Sequence, residues 1–365
     1  MLLVVFGAGA SYDSVPHARP FNPPSGPQTD FSPTSPYVAP KLEEDRPPLA
    51  NQLFDNRPIF VDAMRRFKDC MAIAPYLRKP GISVEQELAR LQGQAEKFAH
   101  VHREIAAAHY YLHSALAECQ KQWRKHHHGT TNYATFLREI ERWRSEFKER
   151  VCLVTFNYDT MLEDAAHQVL GLDLQSLPSY ITCKDYKVIK PHGSVNWGRE
   201  VDGIKSSLGF NHQRLINEIT DLKISPRFRV VTEWPMLKVE SAFVFPALSI
   251  PIEKKDQFAC PQEHIEALAE AIPEITKMIT VGWRATESKF LNMLGSRLTG
   301  LRCHPDLLIV SGSRKGAEET LQNLSHAHYS SFALVDGGFT GLITENIDLL
   351  DHFFRTTQHS LVNPT

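Results

Sequence analysis

LLVVFGAGAS, residues 2–11, is the stretch whose reading decides the fold. Leu2 to Phe6 are apolar without interruption, the pattern of a strand buried on both faces of a parallel sheet rather than on one. Gly7-Ala8-Gly9 follows at once. Glycines let a chain turn sharply there and let backbone N–H groups approach an anion such as a pyrophosphate. A strand-ending glycine turn also occurs without a ligand, so this motif needs support from the rest of the chain.

The apolar runs recur. Residues 152–155, 186–189, 278–281, 307–310 and 331–335 read as strands, and residues 160–170, 262–272, 286–298 and 315–325 as helices between them. Alternation of this kind specifies an α/β protein, with a doubly wound, Rossmann-like, mostly parallel sheet covered on both faces. Residues 198–260 are mixed, with strands expected at 227–232 and 242–246 and a polar helix near 212–222.

Two stretches interrupt the pattern. Prolines at 16, 20, 23, 24, 27, 33, 36, 40, 47 and 48 exclude regular helix or central strand from residues 15–48, which read as a long surface loop and a candidate lid. Residues 48–54 and 59–77 read as helices. Ser83-Val84-Glu85-Gln86 is a capping-box pattern opening a helical segment to about residue 124, and 131–147 gives one more helix. The expected organisation is a nucleotide-binding core of residues 1–57 and 150–355, an inserted helical module of residues 58–149, and a tail of residues 356–365.

Composition narrows the class of function. Of 365 residues, 42% are hydrophobic and 22% charged, as in ordinary globular proteins, and no apolar run approaches the roughly 18 residues of a membrane span. The net charge of −2 supplies no general attraction to nucleic acid or anionic lipid. Lys121, Arg124, Lys125 and His126 to His128 read as a solvated helix end rather than a nucleic-acid or metal site. Cys70, Cys119, Cys152, Cys183, Cys260 and Cys303 are each more than 30 residues apart, which argues against a zinc ribbon and for reduced thiols. With a buried strand at residue 2 in place of a leader peptide, a cytoplasmic protein is expected, with no metal.

Ligands of doubly wound sheets bind at the carboxyl ends of the strands, and the chemistry-bearing residues fall there. In Thr155-Phe156-Asn157-Tyr158-Asp159, the Asn157 amide can hold ribose hydroxyls or water as donor and acceptor, while Asp159 suits either a helix cap or a ligand contact. In Lys190-Pro191-His192-Gly193-Ser194, a histidine between a restrained approach and a glycine turn can accept a proton near neutrality. Gly282, within Thr280-Val281-Gly282-Trp283, and Ser311-Gly312 end two later strands. A dehydrogenase fits less well, because the first turn lacks the full G-x-G-x-x-G pattern and no acidic residue follows a second strand at the expected distance.

The order GAGAS, TFNYDTMLEDAA, KPHGS, TVGWRATES resembles the sirtuin family and its bacterial NAD-consuming branch, well over residues 1–14 and 151–197 and more loosely over 278–313. The resemblance implies Gly7, Ala8, Gly9 and Ser11 at the pyrophosphate, Asn157 and Asp159 at the nicotinamide ribose, His192 as base, and Gly282 and Ser311 toward the adenosine half. Two features depart from the deacylases of that family. The four-cysteine zinc module is missing, and the Gly-x-Pro-Asp-Phe-Arg signature is replaced by the proline-rich loop and Pro47-Pro48-Leu49-Ala50-Asn51-Gln52-Leu53.

Those departures and the helical insertion resemble the sirtuin-like effectors of bacterial anti-phage defence. That likeness implies an NAD hydrolase that releases nicotinamide and ADP-ribose in abortive infection. It further implies a homo-oligomer and a separate sensor or activator, such as a HerA-type ATPase or an Argonaute-like protein. Asn157 would position ribose or water, and His192 would deprotonate a hydroxyl or orient the attacking water. The competing expectations are an NAD-dependent protein deacylase or ADP-ribosyltransferase, and a catalytically silent module that binds NAD or ADP-ribose.

Overall fold

The computed structural model describes residues 1–15, 44–77, 84–95, 98–127, 129–205, 209, 211–231, 237–249, 258–299, 304–325 and 328–355. Most of the proline-rich loop (16–43) and the tail (356–365) lie outside these residues.

Among the described residues the chain is a mixed α/β protein with two sheets. Six parallel strands, β1 (Leu2–Phe6), β2 (Val151–Thr155), β3 (Tyr186–Ile189), β8 (Lys277–Val281), β9 (Asp306–Val310) and β10 (Ser331–Val335), lie in the order β10-β9-β8-β1-β2-β3. Leu2 sits opposite Val151 on one side and Lys277 on the other, so β1 is central and the chain leaves it in both directions. Successive side chains of β1 point to opposite faces. Leu2, Val4 and Phe6 enter one apolar layer, Leu3 and Val5 another, which is why the run needs no polar alternation.

The helices are α1 (Ala8–Tyr12), α2 (Pro58–Arg66), α3 (Ala74–Leu77), α4 (Val84–Ala95), α5 (Ala99–His127), α6 (Asn132–Phe147), α7 (Met161–Leu170), α8 (Ser179–Thr182), α9 (His212–Asn217), α10 (Gln262–Ala271), α11 (Ser288–Leu298), α12 (Arg314–Asn323), α13 (Gly338–Glu345) and α14 (Ile347–Arg355). Residues of α6, α7, α13 and α14 cover one face of the parallel sheet, and those of α10, α11 and α12 the other. Phe6, Tyr133, Phe136 and Phe339 meet edge-on or tilted at 5.1–6.2 Å, each burying an aromatic ring beside the first turn. Full burial of such side chains contributes about 1.5–3 kcal/mol apiece.

The second sheet is the main departure from the sequence reading. It is antiparallel, ordered β5-β4-β7-β6, with β4 (Gly193–Asp202), β5 (Lys223–Val230), β6 (Lys238–Val239) and β7 (Ala242–Leu248). Strands were expected at 227–232 and 242–246, but β4, its backbone, was not. GSVNWGREVD hides its period because Glu200 is nearly buried, with its carboxylate paired to Arg229 at 2.6 Å and to Arg227. The helices α2 to α5 pack on this sheet, sharing one apolar layer with Val195, Val201, Phe245 and Leu248. The helix expected over 59–77 stops at Phe67, whose φ of −116° and ψ of 67° break the ladder, and a 3-10 turn (Lys68–Ala72) follows. The helix expected over 48–54 is a single 3-10 turn, Ala50–Gln52.

Gly193 joins the two sheets. Its φ is +80°, and a methyl group there would lie 1.9 Å from the Ala247 carbonyl oxygen. Gly193→Ala therefore combines left-handed strain with a backbone clash, and we expect it to lower stability by about 3 kcal/mol or more in denaturant unfolding.

Candidate functional site

The site begins where two glycine turns meet. At the carboxyl end of β1, Gly7 N–H donates to the Val281 carbonyl at 3.0 Å and Gly9 N–H to the Gly282 carbonyl at 3.1 Å. A methyl group on Gly7 would lie 2.6 Å from the Gly282 carbonyl oxygen, and one on Gly282, where φ is +58°, 2.4 Å from the Ala10 nitrogen. Glycine is thus required for backbone to touch backbone. The contact also uses the N–H groups of Gly7 and Gly9, so the turn offers an anion less than the sequence suggested. Ala10 N–H returns to the Gly7 carbonyl at 2.9 Å, and among the described residues the Ala8 N–H has no partner.

Asn157 ties the end of β2 to this turn. It is 6% exposed, and its Nδ2 donates among the Gly7 carbonyl (2.9 Å), Ser11 Oγ (2.8 Å) and the Tyr133 hydroxyl (3.1 Å). The hydroxyls of Ser11 and Tyr133 are themselves 2.9 Å apart. Burial first, then the Asp159 charge, hold the Tyr133 phenol far above its ordinary pKa, so it stays a neutral donor. With Nδ2 committed, Asn157 Oδ1 is the end of the amide with no protein partner among the described residues.

His192 stands on the next strand end. Its ring packs edge-on against Phe156 at 4.8 Å and stacks on Tyr158 at 6.2 Å, while Trp283 stacks on Phe156 at 5.5 Å and 9°. Burial pushes the imidazole down to about 4, opposed by a hydrogen bond to the Phe156 backbone, so it is neutral at pH 7. The loop around it is fixed by backbone bonds from Ser249 N–H to the His192 carbonyl and Ala259 N–H to the Pro191 carbonyl, each 2.8 Å. Trp283 is fixed by its Nε1–H donating to Glu287 at 2.6 Å.

Beneath lies an ion pair that the sequence reading passed over. Lys190, fully buried, meets Glu163 at 2.6 Å and also donates to the Asp159 carbonyl. Burial raises the Glu163 carboxyl and Lys190 lowers it in opposition. Asp159 Oδ1 accepts from Met161 N–H at 3.0 Å, which is the capping role of the two anticipated, and its carboxylate still borders the cleft.

All of Gly7, Ala8, Gly9, Ser11, Asn157, Asp159, His192, Gly282 and Ser311 line one cleft of about 1190 Å³ at the carboxyl edge of the parallel sheet. Asn157 and His192 are on the β2–β3 side of β1, and Gly282 and Ser311 on the β8–β9 side. The backbone of Ser311 is held by Val335 and Gly338 at 3.0 and 2.8 Å. Gln120, Gly337 and Gly338, which the sequence did not single out, also contribute, as do Trp283 and residues 47–51 and 53–56 at and after the end of the proline-rich segment. Asp13 holds the far rim, accepting from Thr340 N–H and Oγ1–H at 2.8 and 2.7 Å. Only periodicity on α5 could have drawn attention to Gln120; nothing local marks Trp283 as more than core.

Among the described residues, no group of His, Cys, Asp and Glu is arranged to hold a metal ion, and no helix is long and apolar enough to cross a membrane. No protein-family model matches the chain, and none of the curated proteins compared with it matches in sequence.

The neutrality of His192 is directly measurable. Because its folded-state pKa lies below the unfolded value near 6.5, it imposes no penalty above that pH and lowers stability as pH falls toward 4. In an NMR titration its ring resonances should move only below about pH 5. A midpoint near 6.5 would show that the aromatic wall does not shield it.

Proposed function

We propose that this chain is an NAD glycohydrolase that cleaves NAD to nicotinamide and ADP-ribose, on a Rossmann-like, sirtuin-like core. The observation that carries the reading is the pairing of Asn157 and a neutral His192 on one side of a central glycine turn, with Gly282 and Ser311 across it in the same cleft. Strand order supports it: counted within the parallel sheet, the strands run 3-2-1-4-5-6, and a dinucleotide binds such sheets across the crevice where the order reverses. The cleft, about 1190 Å³, exceeds the roughly 300–1,000 Å³ of common ligand pockets and leaves room for an extended dinucleotide.

In this proposal the pyrophosphate lies over the Ala8 N–H and the glycine turns, and the distal ribose between Asp159, Asn157 and His192. The bond between the ribose C1′ and the nicotinamide nitrogen breaks, and its electron pair neutralises the cationic ring, so no acid is needed. Water attacks C1′ and its proton passes to solvent through His192, while Asn157 Oδ1 orients the water or a ribose hydroxyl. A neutral imidazole suits this step, because an imidazolium would repel both the pyridinium and the oxocarbenium-like transition state. The proposed setting is that of an anti-phage effector, acting with a separate sensor and as an oligomer, and it rests on the motif order alone.

One observation favours a second reading. The commitment of the two Asn157 Nδ2 hydrogens to protein acceptors is what a silent NAD- or ADP-ribose-binding module would also need. Chromatography of NAD incubated with the protein, alone and with any partner encoded beside it, separates the two. We expect nicotinamide and ADP-ribose in equal amounts, with a rate nearly flat between pH 6 and 8, lowered by about 10²-fold or more in His192→Ala and Asn157→Ala. Intact NAD under every condition selects the binding module, and ADP-ribosylated protein or acetyl-ADP-ribose selects a transferase or deacylase.

A further inference from the structure

The helical insertion reaches the cleft through Leu77, Leu116 and Gln120, of which Gln120 is the polar one. This side chain of α5 is 6% exposed, lines the cleft, and grips Thr160 with both ends of its amide. Its Oε1 accepts from Thr160 N–H at 2.8 Å, and its Nε2 donates to Thr160 Oγ1 at 2.8 Å. Thr160 occupies the N-cap of α7, where a threonine hydroxyl ordinarily accepts from the first turn of its own helix. Here it makes no such bond and accepts instead from Gln120 and from Arg124 at 2.8 Å. Capping passes to Asp159, whose carbonyl is in turn held by Lys190 from below. The peptide joining Asp159 to Thr160 is therefore fixed on one side by the parallel-sheet core and on the other by the insertion.

We infer that Gln120 is a positioning residue that sets Asp159 for the distal ribose of a dinucleotide, making the insertion part of the site. The inference rests on the proposal that this cleft holds NAD. An amide that satisfies one N–H and one hydroxyl at once fixes both the height and the rotation of the turn, which a single hydrogen bond cannot do. The Asp159 carboxylate leaves the same turn one residue earlier and follows its orientation. A merely structural glutamine would instead support the whole cleft evenly, whatever part of a ligand occupies it.

Ligands that differ by the distal ribose separate these roles. Titration calorimetry on the full chain with ADP-ribose and with ADP would be run for wild type, Gln120→Met and Gln120→Glu. Gln120→Met keeps the side-chain length and removes both polar ends. Gln120→Glu keeps an acceptor for the Thr160 N–H, with Arg124 beside it as counter-charge. We expect Gln120→Met to weaken ADP-ribose at least tenfold while ADP stays within twofold, and Gln120→Glu to recover most of the loss. Equal weakening of both ligands, or no weakening of either, overturns the inference. Should Gln120→Met fail to fold, Thr160→Val, which loses the hydroxyl bonds and keeps the N–H bond, carries the same comparison. Wild-type protein that binds both ligands without releasing nicotinamide from NAD removes the hydrolase reading and leaves this one standing; failure to bind either ligand removes both.

Discussion

The contact between the Gly7–Gly9 turn and Gly282 is the constraint on which the rest of the molecule depends. Two backbone segments approach until a single methyl group on either would overlap the other, and two N–H···O=C bonds close the gap. That approach sets β1 against β8, leaves a crevice above them at the strand ends, and fixes the direction in which α1 departs. Everything else on the cleft is referred to this point. Asn157 is measured from it by bonds to Gly7 and Ser11, and Asp13 at the end of α1 carries it on to α13 through Thr340.

A second constraint is the treatment of charge around His192. The imidazole is kept neutral by burial within an aromatic wall, while Lys190, two residues before it, and Glu163 neutralise one another. Leaving either partner of that pair alone would strand a buried charge, a loss of about 3–5 kcal/mol. The pair therefore anchors the strand end whatever ligand lies above it. The result is a neutral imidazole on the cleft wall, with Asp159 on the same lining.

The parallel sheet was legible because its strands are buried on both faces and read as unbroken apolar runs between helices. The positions singled out at strand ends were legible for the related reason that such sheets gather their ligands there, and the cleft brings all nine together. What escaped in the antiparallel sheet was β4 and β6, since β5 and β7 fall where strands were expected. β4 pairs Arg199 and Glu200 with partners on β5, which lets these polar residues be partly or wholly buried and obscures the alternation, and β6 is only two residues long. Gln120 and Lys190 escaped because their roles come from elements far apart in sequence; a glutamine on a long helix and a lysine before a proline carry no local mark. The fate of the glycine N–H groups was likewise invisible, since the acceptors belong to a turn some 270 residues on.

The most direct measurement is a crystal structure of the protein with ADP-ribose. The account predicts one molecule lying across β1, its pyrophosphate at the Ala8 N–H, its distal ribose between Asp159, Asn157 and His192, and its adenosine toward Gly282 and Ser311. ADP-ribose bound elsewhere, or bound in this cleft with the distal ribose away from Asn157 and His192, would contradict it.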